Sequence, residues 1–226
     1  LFPFADAAEK DRMIASIGPF WDANETWLVL AIGLLLVAFP QAHGMILSGL
    51  YLPVAIMLIG LILRGVAFEF RAKAPPSHKS AWDWAFFVGS LMTSLSQGFM
   101  LGMYITGLEW TLPAIIFSGL TALFLTVGYS FIGATWLIYK TEGLLQLKSV
   151  EWARGGIWGL MWGGAAISIA SPRASPRIFE RWFDFPDSLF LAPLPLTFAL
   201  IGRLVILVLR RLPTGDDAFA ILPFLA

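Results

Sequence analysis

The sequence predicts an all-α fold, a polytopic transmembrane helical bundle, and three observations predict it. Hydrophobic residues make up 58% of the 226 positions and charged residues only 13%, with a mean hydropathy of +0.77, outside the range of an ordinary soluble domain. Apolar windows of about 20 residues recur along the chain, the length a helix needs to cross hydrocarbon. Short charged loops separate them, whereas the strands of a membrane barrel would alternate at period two.

Residues 5 to 20 read as a short polar connector. The first span is expected from about Asn24 to Phe39, with a turn at Pro40 and Gly44, and the second from about Met45 to Ala67, kinked at the internal Pro53. Arg71 to Ser80 reads as a basic loop. The third span, Trp82 to about Ile105, carries Gly89, Ser90, Ser94, Ser96, Gly98 and Gly102, small residues that let membrane helices approach closely. A tight loop around Gly107 and Glu109 precedes the fourth span, Leu112 to Tyr139. The fifth runs from Gly155 to about Ala170, a Pro-rich connector from Ser171 to Asp187, and the sixth from Leu189 to about Leu209. Six full spans and the start of a seventh near Ala218 form one membrane domain over residues 1–226. The chain opens on LFPF and stops inside an apolar run, so it reads as a fragment lacking both ends.

Orientation follows from the basic residues. Lys10, Arg12, Arg71, Lys73, Lys79, Lys140, Lys148, Arg154, Arg210 and Arg211 fall on one side, against Arg173, Arg177 and Arg181 on the other. The positive-inside rule makes the first side cytoplasmic. Fifteen basic and fifteen acidic residues cancel, leaving no basic surface for nucleic acid, and no phosphate-cradling glycine loop is present. With no cysteine, thiol nucleophiles, iron–sulfur clusters and Cys-type zinc sites are excluded. A haem bundle needs axial ligands deep in its helices. The two histidines, His43 and His78, fall in an outer turn and in the basic loop, so no haem is expected in this chain, nor any catalytic centre of its own.

Ionisable groups crowd both margins of the first hairpin. Asp22 and Glu25 stand three apart before an apolar run, the spacing of a capping box; a carboxylate in a partly dehydrated site could equally relay protons. Trp21 and Trp27 flank them as membrane-boundary residues. Glu69 and Lys73, four apart, read as an i,i+4 ion pair. Arg64 lies deeper, where it either snorkels to the headgroups or pairs inside the bundle.

The strings WDANETW (which includes Asn24), SGLYLP, RGVAFEFRAK, WDWAFFVGS and GATWLIYKTEG, with Phe39-Pro40, together resemble subunit II of the cytochrome bd-type quinol oxidases. Asn-Glu-Thr-Trp and Arg-Gly-Val-Ala-Phe are similar to the branch that includes cyanide-insensitive oxidases. The resemblance implies a haem-free, multi-pass subunit of nine helices in the bacterial inner membrane. Its partner in the heterodimer would be subunit I, which carries haems b and d, oxidises quinol and reduces oxygen to water; lipids and quinone complete the surroundings. It also implies that Asp22, Glu69 and Lys73 match a proton path from the cytoplasm, with Trp21, Asn24, Glu25, Arg64 and Arg71 as supporting motif residues. Ala23 stands where the family motif often has glycine. The rival readings are a secondary transporter with intramembrane charges and a purely structural subunit.

Overall fold

The structure is a computed structural model that describes residues 1–174, 176–185, 188, 191, 193–212 and 220–225; the side chains of 22–25, 174 and 176–178 also lie outside the description. All regular structure among these residues is helical. The helices are α1 (Ala7–Ile17), α2 (Trp21–Ala38), α3 (Pro40–Gly49), α4 (Tyr51–Lys73), α5 (Pro76–Ile105), α6 (Leu112–Lys140), α7 (Leu144–Ala174), α8 (Pro176–Phe183) and α9 (Pro193–Arg211), followed by a turn at Leu222–Leu225. Four of them, α4, α5, α6 and α9, are long and apolar enough to cross a membrane. Only 17% to 39% of each apolar window is buried, so most of their surface is available to hydrocarbon. The apolar part of α2, Thr26–Ala38, is shorter.

Several expected boundaries move, each for a local reason. The polar connector contains α1, whose start is a capping box: the Glu9 amide donates to Asp6 Oδ1 at 2.8 Å and the Asp6 amide to Glu9 Oε2 at 3.0 Å. Helix α2 begins at Trp21, with Phe20 in the cap position and no side-chain cap. Asp22 therefore falls inside the first turn and not at the cap, which corrects the expected register; the Asp22, Asn24 and Glu25 side chains lie outside the described residues.

The expected turn at Pro40 and Gly44 is a ten-residue helix, α3, with Pro40 as its first residue. A proline disfavours helical geometry in the residue before it, and Phe39 is accordingly non-helical (φ −137°, ψ 61°). The second span starts at Tyr51, so Pro53 sits in a first turn, where its missing N–H has no intrahelical partner to lose. Its ring would clash with the carbonyl of Gly49, four residues back, in an unbroken helix. The chain breaks at Leu50 instead (φ −119°, ψ 20°), and the expected kink is replaced by a helix start. The basic loop shrinks to Ala74 and Pro75, while α7 extends the expected fifth span at both ends and α8 occupies part of the Pro-rich connector.

The chain forms two compact units, residues 2–100 and residues 101–226 with Leu1. In the first, α4 and α5 approach at two glycines: a Cβ on Gly89 would lie 2.7 Å from the Gly60 carbonyl oxygen and 2.8 Å from the Arg64 amide nitrogen. The second is built on the antiparallel α6–α7 hairpin. Its turn places Gly143 at φ +71°, a left-handed conformation that glycine adopts without steric penalty. Phe124, Val127 and Phe131 of α6 fill the notches left by Gly163, Gly159 and Gly156 of α7, and Ile138, Ala153, Ile157, Val205 and Leu209 continue the core toward α9. The loop expected at Gly107 is a helix stop: the Leu108 amide reaches the Met103 carbonyl at 2.8 Å and Gly107 the Tyr104 carbonyl at 3.2 Å, with Gly107 at φ +82°.

The Gly163 notch supplies a test. Gly163→Leu is expected to lower stability by roughly 1–3 kcal/mol through overpacking against the Phe124 ring. Gly155→Leu, one turn from the same interface with open space around it, is expected to be neutral or slightly stabilising. Thermal unfolding of the two variants in detergent decides whether the notch carries the hairpin.

Candidate functional site: a buried arginine and its carboxylates

The site is assembled in the first unit, where α1, the end of α4 and the start of α5 meet. Arg71, on the last turn of α4, has only 4% of its side chain exposed. A guanidinium does not give up its proton in a protein, so burial obliges it to find anionic partners. Its Nε donates to Asp83 Oδ1 and its Nη1 to Asp11 Oδ1 at 2.6 Å. Two lysines complete the cluster: Lys10 Nζ lies 3.2 Å from Asp83 Oδ2, and Lys79 Nζ lies 3.4 Å from Asp11 Oδ2. Three cations thus share two carboxylates, and the group carries a net positive charge.

The sequence dictates who meets. Lys10 and Asp11 are consecutive, so α1 directs them at different partners, Lys10 to Asp83 and Asp11 to Arg71. Lys79 and Asp83 are four apart on α5 and share one face. The capping box at Asp6 and Glu9 fixes where α1 starts and hence where Lys10 and Asp11 point.

Below the charges runs an aromatic column. Trp21 packs on Phe68 with ring centroids 4.7 Å apart, Phe68 faces Phe86 at 6.3 Å, and Phe86 faces Phe2 at 5.2 Å. Arg71 lies 5.8 Å from the Phe2 ring centroid and Arg64 5.8 Å from that of Phe86, distances at which a cation is attracted to the π face. Arg64 therefore turns into the bundle against an aromatic face. Trp21, expected as a boundary residue, packs inward on Phe68 and lies against Gly65.

Glu69 and Lys73 pair with each other, Oε2 to Nζ at 3.3 Å, with 53% and 77% of their side chains exposed. They sit on the same terminal turns of α4 as Arg71 but outside its cluster. Of the residues singled out from the sequence, the structure brings Arg71 to the centre, sets Arg64 and Trp21 on the aromatic column, and leaves Glu69 and Lys73 at the surface. Lys10, Asp11 and Asp83 were not singled out as site residues. The signal available for them was charge at the margins of apolar segments: Lys10 and Asp11 in the polar connector and Asp83 at the start of the third span. His43 lies in α3, and His78 stands in the first turn of α5 with its Nδ1 3.1 Å from the Ser77 hydroxyl. Among the described residues no group of three His, Asp or Glu side chains is placed to hold a metal ion.

The Arg71 guanidinium beside Asp11 holds that carboxyl below its ordinary value, chiefly through their hydrogen bond, with burial opposing and Lys79 assisting. Asp11 is thus kept ionised, and the cluster is a fixed electrostatic anchor at the end of a membrane helix.

An all-α membrane protein of several spans, with its charges gathered at one end of a helix hairpin, is the class defined by this fold and site. The family model for cytochrome bd terminal oxidase subunit II matches residues 1–226, and the chain belongs to that family. It is 44% identical over 106 residues to the cytochrome bd ubiquinol oxidase subunit 2 of Bacillus subtilis, covering 46% of this chain and 30% of the relative. It is 31% identical over 182 residues to the cytochrome bd-I ubiquinol oxidase subunit 2 of Escherichia coli K12, covering 69% and 48%. A probable cytochrome oxidase subunit 2 of Haemophilus influenzae is 31% identical over 166 residues, covering 65% and 43%. The chain therefore spans less than half the length of these relatives.

Arg71→Gln is expected to cost roughly 1.5–3 kcal/mol, since it removes two charge-assisted hydrogen bonds and leaves Asp83 with Lys10 as its remaining cation. Glu69→Gln, which breaks only an exposed i,i+4 pair, is expected to cost about 0.5 kcal/mol or less. Chemical unfolding of the two variants should separate them clearly. The depressed pKa of Asp11 also fixes a sign: its contribution is full above the unfolded carboxylate value of about 3.9 and is lost as pH falls below it through the folded value. Acid titration of Tm should show a shallower decline in Asp11→Asn than in the parent.

Proposed function

We propose that this chain is the haem-free subunit II of a cytochrome bd-type quinol oxidase in a bacterial inner membrane. In this reading it supports a haem-bearing subunit I, which oxidises quinol and reduces oxygen to water, and it lines part of a proton entry path from the cytoplasm. The family match over residues 1–226 is the observation that carries the assignment. The haems b and d belong to the partner, and quinol is the substrate of the heterodimer. This agrees with the poor fit of the present residues to haem: the two histidines lie in α3 and in the first turn of α5, away from the middle of the long apolar helices.

The proton path is proposed through Asp22, Glu69 and Lys73, on the resemblance of these positions to the family motif. The exposed Glu69–Lys73 pair supports this part of the reading, because an entry group must be reached by water before it can exchange a proton. The adjacent Arg71 cluster would serve as the fixed charge past which protons move, its carboxylates being engaged in ion pairs. A purely structural role is the competing reading, favoured by the same exposure, which suits an ordinary surface ion pair.

Two variants discriminate these readings in the full-length chain assembled with its partner. Asp22→Asn and Glu69→Gln are each expected to reduce quinol-driven oxygen uptake several-fold and to slow proton uptake in parallel, with haem content unchanged. Parent-like uptake in both variants removes the relay and leaves the structural reading.

A further inference from the structure

We infer that the groove between α7 and α9 binds the phosphate of an anionic phospholipid. A cavity of about 270 Å³ lies there, lined by Arg154, Ile157, Trp158, Ile206, Leu209 and Arg210. Two guanidiniums therefore stand with an apolar wall and an indole, and among the described residues no carboxylate lines the cavity. Among the described residues neither arginine forms an ion pair. Arg154 spends one donor on the Leu209 carbonyl, Nη2 to O at 2.8 Å, which fixes the guanidinium beside the groove. Its buried Nε has no hydrogen-bond partner among the described residues, and the groups offered to the groove are the remaining outer N–H donors of the two guanidiniums.

The chemistry of the occupant follows from these walls. An arginine fork matches the oxygens of a phosphate, while Ile157, Ile206 and Trp158 offer a surface for acyl chains beside it. A neutral ring such as a quinone head would leave both positive charges uncompensated, and the cavity is below the usual size of a site that encloses a drug-sized molecule. Arg154 and Arg210 both fall on the side that carries most of the basic residues, where anionic headgroups are attracted to juxtamembrane cations. The inference concerns this groove alone and does not depend on the proton path.

The test uses the full-length chain in its native complex, delipidated in mild detergent and examined by native mass spectrometry with added phosphatidylglycerol, phosphatidylcholine or inorganic phosphate. Phosphatidylglycerol is expected to be retained at least tenfold better by the parent than by Arg210→Gln, which leaves the Arg154–Leu209 bond in place. Ile206→Trp, which fills the groove and keeps both charges, is expected to reduce retention similarly. Phosphatidylcholine and millimolar phosphate should not displace the bound lipid. Displacement by inorganic phosphate would assign the groove to a free anion and overturn the lipid reading, as would equal retention in the parent and both variants.

Discussion

A permanently charged guanidinium buried at the end of a membrane helix is the constraint on which the first unit depends. Arg71 can be neither neutralised nor left unpaired, so carboxylates must come to it from other elements. Asp83 comes from the first turns of α5, beyond a two-residue connection, and Asp11 comes from α1, sixty residues earlier. The position of α1 and the short α4–α5 connection are two consequences of the same requirement. The capping box that starts α1 and the Gly60–Gly89 contact that lets α5 lie close to α4 are the local devices that make those positions reachable.

The cluster divides the charged groups into two kinds. Asp11 and Asp83 are engaged by three cations, and the Asp11 carboxyl, held ionised by the buried arginine, is a poor proton carrier near neutrality. Glu69 and Lys73 hold each other only at the surface, where a pair of this kind contributes little to stability. Under the proposed function, that division separates anchoring from transport within one turn of α4. The aromatic column beneath, from Trp21 through Phe68 and Phe86 to Phe2, presents π faces to Arg64 and Arg71.

Much of this was legible in the sequence. Composition and window length determined the all-α membrane class, and the fourth span, Leu112 to Tyr139, differs from α6 by one residue because a Pro at its second position and Lys-Thr at its end mark both limits. The small residues of the third span do meet neighbouring backbone, at Gly60 for Gly89 and at Ser118 for Gly102. The role of a proline depends on its place in the turn, which hydropathy does not carry: the expected turn at Pro40 is a helix start, and the expected kink at Pro53 falls in the first turn of α4, where a proline loses no hydrogen bond. The ion-pair cluster was hidden for a different reason: Asp11 and Asp83 lie 72 positions apart, and nothing in their local spacing connects them to Arg71. Arg71 and Asp83 each stand in a motif string, RGVAFEFRAK and WDWAFFVGS, but of the cluster only Arg71 is among the expected site residues.

Under the proposed function the chain is the haem-free half of an oxidase, and the most direct test is purification of the tagged full-length protein from its own membranes in mild detergent. A reduced-minus-oxidised optical spectrum and the identity of the co-purifying chains would be recorded together. Haem bands that follow a second, haem-bearing chain are expected, together with quinol-dependent oxygen uptake by the purified complex. A colourless protein, purified intact without any haem-containing partner, would contradict it.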